Sequence, residues 1–384
     1  MSETYCPMPW VSVNILPTGV QPCCEWHGIG EDTNSIKEAI NGPLFESTRK
    51  AMLEGKKIPN CKQCYNAESV GAVSKRQSSI NSYGIENKIN TQIISVSFDN
   101  VCNLKCRGCC SANSHLWHND EIEIYGQAFF DSKYMDRQID IDISKLNYLD
   151  ITGGEPFLSK NFEIFANKIM SDNQAEHICL NIDTNGTTIP TGNVYELLLN
   201  CKELRINISI DGIGHLNDYF RSGSSFDECL KSMDFFKSLK NLRKHKTSLN
   251  IHTTVSVYNV NLLKDIEDFF IKNYLDYTHT HRVLYWPEQM CIRNLPKDYK
   301  DILISIVSTF GDKYIDVLGE LHTDGENLFD YFLDFHNTLD KLRNETLDNS
   351  NPLLTEYIKN YKSTVSINKK IFYLTQMEKI KCAT

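Results

Sequence analysis

Between residues 90 and 290, short apolar runs alternate with longer amphipathic stretches. The runs cover 93–98, 148–152, 178–183, 204–210, 249–257 and 281–286, and most are rich in Ile and Val. That is the pattern of parallel strands in an α/β protein. Between them, 161–170, 194–199, 226–239 and 262–272 repeat apolar residues at helical spacing. Six strand–helix steps predict an open, partial (β/α)6 barrel.

The flanks read differently. In residues 1–85, an alternating run at 11–16 meets the turn Pro17-Thr18-Gly19, which predicts a β-hairpin. Ser35 and Glu38 make a capping box, and a helix is expected from Pro43 to a stop at Gly55. Residues 296–384 carry helical patterns, notably at 326–344 and 353–361. This C-terminal helical segment is expected to pack against the barrel or cap its open side. Three units follow: a small N-terminal module (1–85), a barrel (90–290) and the helical segment (296–384).

Charge and targeting narrow the function classes. The formal charge of −9 argues against a nucleic-acid partner. The N-terminus has no basic and apolar leader, and no apolar run is long enough to span a bilayer. A cytoplasmic, non-membrane protein is the expectation. Fourteen cysteines are many for such a compartment, where clustered thiols bind metal or react rather than pair.

Cys102, Cys106 and Cys109 form a CxxxCxxC run directly after the first predicted strand. Three thiolates at this spacing can hold three irons of a cubane cluster and leave the fourth iron open to a substrate. Thr152-Gly153-Gly154-Glu155-Pro156 follows the second strand, Thr184-Asn185-Gly186 the third, and Ser209-Ile210-Asp211-Gly212 closes the fourth. All four motifs fall at C-terminal strand ends, where such folds place their chemistry. His115 and His118 follow the cysteine loop and read as solvated loop residues.

Over residues 92–287 these motifs resemble the radical S-adenosylmethionine (SAM) superfamily. The resemblance implies that Cys102, Cys106 and Cys109 ligate a 4Fe-4S cluster whose open iron chelates S-adenosylmethionine. Gly153, Gly154 and Glu155 then meet the methionine ammonium. Ser209 and Asp211 resemble positions near the ribose or methionyl carboxylate, Arg221 matches a recurring arginine, and Asn185 joins the cofactor set. The family often has an aromatic residue before the third cysteine, next to adenine; here it is Gly108. The implied chemistry is reductive cleavage to a 5′-deoxyadenosyl radical that takes hydrogen from a C–H bond of the substrate. No general acid or base is assigned.

In the N-terminal module, Cys6, Cys23, Cys61 and Cys64 supply four thiolates, with Cys24 possible in place of Cys23. Their spacing suits a fully ligated 4Fe-4S cluster or a structural zinc site equally. The stretch resembles the twitch module, the short form of the SPASM domain, here placed before the barrel. That resemblance implies an auxiliary 4Fe-4S cluster, a peptide or protein side chain as substrate with a small molecule next, and an electron donor such as a flavodoxin or ferredoxin. The rival is a non-catalytic iron–sulfur or zinc protein for electron transfer or assembly, which leaves Gly153–Glu155, Ser209 and Asp211 without a role. Cys382, near the chain end, reads as part of a frayed tail.

Overall fold

A computed structural model describes residues 3–17, 19–33, 35–69, 73–130, 143–347, 350–363, 372–373 and 375–376. Cys382 lies outside them. Eight strands form one sheet: β1 (Ser12–Leu16), β2 (Gly19–Gln21), β3 (Ile93–Ser97), β4 (Tyr148–Thr152), β5 (Cys179–Thr184), β6 (Glu203–Ser209), β7 (Thr247–Val255) and β8 (Tyr277–Val283). Their order is β2-β1-β3-β4-β5-β6-β7-β8. β1 and β2 are the expected antiparallel hairpin. Every other neighbouring pair is parallel, including β1 with β3, so the hairpin extends the barrel sheet.

The strands alternate rather than run continuously apolar. In β6, Leu204, Ile206 and Ile208 are fully buried, while Arg205 and Asn207 point the other way. The apolar face packs under helices Lys160–Ser171, Gly192–Asn200, Phe226–Leu242 and Leu263–Asn273, through Phe162, Leu197, Phe236 and Phe270. The opposite face is polar: Asn181, Asp183, Arg205, Asn207, Asn250, His252 and Thr280 line a lumen cavity of ≈ 490 Å³. This one-sided burial follows from the period-two pleat.

The C-terminal helices Lys297–Val307, Ile315–His322, Phe329–Arg343 and Pro352–Asn360 share a second core with Trp117, Tyr219, Tyr258 and the end of β7. The N-terminal module has a third small core of Tyr5, Met8, Trp10, Trp26, Met52 and Ile58. Among the described residues, no helix is long and apolar enough to cross a membrane.

Candidate cofactor and cluster site

Residues 98–110 leave β3 as a loop braced from its start. The Asp99 carboxylate accepts from the Val101 N–H (3.1 Å) and the Ser159 hydroxyl (2.5 Å). Asn100 donates to the Ser111 carbonyl (2.7 Å), closing the loop's far end. His115 is not merely solvated: its Nδ1 accepts from the Cys102 N–H at 3.3 Å. Cys102, Cys106 and Cys109 thereby face one cavity of ≈ 400 Å³.

The glycine turn after β4 forms the next wall. Gly153 has φ +124°, in the region that favours glycine. A Cβ on Gly154 would lie 2.1 Å from the Val101 carbonyl oxygen, so only a bare Cα lets the turn press on the cysteine loop. The Glu155 N–H donates to that carbonyl at 2.7 Å. The Glu155 side chain, however, stands behind the wall. Its carboxylate accepts from the Asn185 N–H (2.7 Å), the Thr184 hydroxyl (2.8 Å) and the Phe157 N–H (3.2 Å). Burial raises its pKa to about 7, against the pull of those hydrogen bonds.

Gly153, Gly154, Asn185, Ser209, Asp211 and Arg221 line the same cavity as the three cysteines, together with Thr254 and Phe220. Asp211 is held at both oxygens, by Arg221 Nη1 (2.8 Å) and by the Thr254 N–H (2.7 Å). Arg221 keeps one buried donor, Nε, without a partner. Burial opposes its charge, but Cys106 and Asp211 outweigh that and hold its pKa above the usual value. Asn185 donates to Asn103 (2.9 Å) and accepts from the Thr187 N–H (2.9 Å), joining the loops after β3 and β5. A Cβ on Gly108 would meet the Phe220 ring at 3.3 Å. The space beside the third cysteine is therefore filled by an aromatic ring from another element.

The motifs did not point to Asp183, one residue before Thr184. It lines both the three-cysteine cavity and the lumen cavity. Its orientation is set by a chain of amides. Asn181 donates to Asp150 (2.6 Å), and Asn207 donates to Asn181 (3.1 Å) and to Asp183 Oδ1 (2.6 Å). Asn250 donates to Asn207 (2.9 Å). Asp183 is open to the lumen yet crowded by its concave wall, and that crowding, with Asp150 nearby, raises its pKa to about 6. The signal was the polar alternation Asn181, Asp183 inside an apolar run.

In the N-terminal module, Cys6, Cys23, Cys61 and Cys64 line one narrow, enclosed pocket with Met8, Trp26, Met52 and Arg76. Cys24 is not part of it; its charged neighbours are Lys75, Glu25 and Asp150. Burial pushes the Cys6 and Cys61 thiols up to about 12, with neighbouring cysteines adding to it. Arg76 reaches the pocket while bound to Glu68 (2.6 Å) and the Tyr5 carbonyl (3.0 Å). The described cysteines are all free. Among the described residues, no three His, Cys, Asp or Glu side chains converge on a single-ion position.

Residues 96–269 match a family model described as the Radical SAM superfamily. No curated protein matches the chain. Among solved structures, native anSMEcpe with bound AdoMet and Cp18Cys peptide is 20% identical with a TM-score of 0.38, covering 61% of this chain and 62% of that one. This chain thus spans about three fifths of that protein's length. Streptococcus suis SuiB bound to precursor peptide SuiA is 13% identical with a TM-score of 0.35, covering 86% of this chain and 68% of that one.

Proposed function

We propose, from the premise that residues 96–269 are a radical SAM domain, that this chain cleaves S-adenosylmethionine reductively and modifies a polar substrate, a peptide side chain first, by hydrogen-atom abstraction. One observation carries the reading. Three cysteines, a glycine turn and an Asp–Arg pair, drawn from the segments after three different strands, line a single cavity. A 4Fe-4S cluster with S-adenosylmethionine supplies one-electron reduction and C–H abstraction when bound.

The residues present suit that pair. Cys102, Cys106 and Cys109 are the ligands for a cluster with an open iron. Gly153 and Gly154 give close backbone approach to the amino acid end of the cofactor. Arg221 and Ser209 line the same space and suit its carboxylate and hydroxyls. Glu155 acts at one remove, fixing Thr184 and the Asn185 backbone. Phe220 offers an apolar ring beside Gly108 for a heteroaromatic base.

The lumen is the substrate compartment in this reading. It shares Asp183 with the three-cysteine cavity and offers amides, a carboxylate and Arg205 rather than apolar wall. Such a surface selects a substrate rich in hydrogen-bonding groups, as a peptide segment is. The Cys6/Cys23/Cys61/Cys64 pocket holds an auxiliary 4Fe-4S cluster, and a flavodoxin- or ferredoxin-type protein supplies the electron.

Iron counting after anaerobic reconstitution tests both assignments. The wild type is expected to take up roughly eight irons per chain. Replacing Cys61 and Cys64 by Ala, or Cys102, Cys106 and Cys109 by Ala, leaves roughly four. Zinc filling the N-terminal pocket in place of iron would overturn the auxiliary-cluster assignment.

A further inference from the structure

The cysteine loop is gripped from outside the cofactor cavity as well as from within. Arg107, between two of the cluster cysteines, is fully buried and points away from the cavity. Its guanidinium lies 3.7 Å from the Tyr219 ring centroid, and its Nε donates to the Tyr219 carbonyl at 3.0 Å. Its Nη2 reaches two carboxylates from the C-terminal segment, Asp340 (2.6 Å) and Glu345 (2.8 Å).

Glu345 also accepts from the Ser222 hydroxyl, through its other oxygen. Ser222 follows Arg221, the arginine of the cofactor cavity. Two backbone rungs already tie these stretches together: Lys105 N–H to Ser222 O and Arg107 N–H to Phe220 O, both 2.8 Å. One carboxylate thus bridges the side chains of the cysteine loop and of the Arg221 stretch. Arg343 completes the grip. It donates to the Lys105 carbonyl (2.7 Å) and to Asp120 (2.9 Å), and it lies over Trp117, whose indole N–H holds the Cys106 carbonyl (3.0 Å).

We propose that Arg107 and Glu345 are positioning residues through which the C-terminal segment sets the geometry of the cluster loop relative to Arg221. The C-terminal segment is then part of the cofactor machinery. The physical reason is cost. A buried guanidinium bridging two carboxylates has a narrow range of workable geometries. Moving the loop leaves at least one of these charges unpaired in a largely desolvated place. Arg suits this place better than Lys because the planar guanidinium lies over the Tyr219 ring while Nε holds a carbonyl and Nη2 two carboxylates.

The inference rests on the assignment of Cys102, Cys106 and Cys109 to a cluster, and the test separates the two. Wild type, Arg107→Met, Arg107→Lys and Glu345→Gln are reconstituted anaerobically, and iron loss to a chelator is timed. The electron paramagnetic resonance spectrum of the reduced cluster is recorded with and without S-adenosylmethionine. Outer-sphere partners typically change metal retention by about 10–100-fold. Arg107→Met is expected to lose its three-cysteine cluster at least about tenfold faster while the N-terminal iron stays. Glu345→Gln, with both its contacts weakened but no charge buried anew, is expected to keep the iron and to lose or alter the spectral change on adding S-adenosylmethionine. Arg107→Lys should restore only part of either property.

Wild-type retention rates and spectra in both Arg107→Met and Glu345→Gln would overturn the inference. Loss of the N-terminal iron at the same rate in either variant would also overturn it, by showing general unfolding. A wild type that takes up no iron at the three cysteines would instead overturn the cluster assignment itself.

Discussion

At the scale of single residues, two positions separate spacing from geometry. The sequence favours Cys23 and keeps Cys24 open in its place, and the fold puts only Cys23 in the pocket with Cys6, Cys61 and Cys64. Cys23→Ser is therefore expected to lose the N-terminal iron, and Cys24→Ser to keep it; equal iron in both variants would count against that pocket. Gly154 is the second position. Adding one methyl group there must displace the Val101 carbonyl, next to Cys102. Gly154→Ala is expected to weaken S-adenosylmethionine binding by at least tenfold, about 1.4 kcal/mol, measured by titration of the reconstituted protein. The cysteine motif was legible because its ligands lie within eight residues of chain. The direction of the Glu155 carboxylate was not. It depends on Thr184 and the Asn185 N–H at the end of β5, and the strand pattern put that motif on the same rim without saying which way the carboxylate turns.

At the scale of elements, the strands were legible to within a few residues wherever their apolar face carried Ile, Val or Leu. The exception is β8, expected at 281–286 and found at Tyr277–Val283. Thr278, Thr280 and Arg282 face the lumen, and Tyr277, His279 and His281 face outward, so no apolar run announces the strand. The pairing of β1 with β3 was also hidden, because it joins segments some eighty residues apart through backbone hydrogen bonds that carry no sequence signature. The C-terminal segment is tied to the barrel's helix Leu263–Asn273 through Lys313 and Glu267. Burial works to raise the Glu267 pKa, but Lys313 and Lys264 outweigh it and set it at about 2. The unfolded value is about 4.3. The folded value is the lower one, so this stabilisation is fully present above the unfolded pKa and is lost as pH falls through about 2. Glu267→Gln is expected to cost about 1–2 kcal/mol at pH 7 in denaturant melts, a difference that closes by pH 2. A gap independent of pH would show that packing, not charge, is what the substitution removes.

At the scale of the molecule, the sheet is a wall with an oily outer face and a wet inner one. Its first and last strands, β2 and β8, leave a seam. Glu25, just past β2, meets Arg282 of β8 across it at 3.5 Å. An exposed pair of this kind contributes about 0–1 kcal/mol, so the seam is lightly latched. Glu25→Ala is expected to change stability by less than about 0.5 kcal/mol, and a larger loss would mean the seam is structural. The lumen cavity and the three-cysteine cavity share Asp183 as a wall residue. In the proposed reading the substrate lies beside the three-cysteine cavity, which Arg107 and Glu345 set from behind. The most direct measurement is chromatography of the reaction of reconstituted, reduced protein with S-adenosylmethionine. The account predicts 5′-deoxyadenosine and methionine from the wild type, and neither from the Cys102/Cys106/Cys109→Ala variant. A wild type that carries its full iron and binds S-adenosylmethionine, yet never yields 5′-deoxyadenosine, would contradict it.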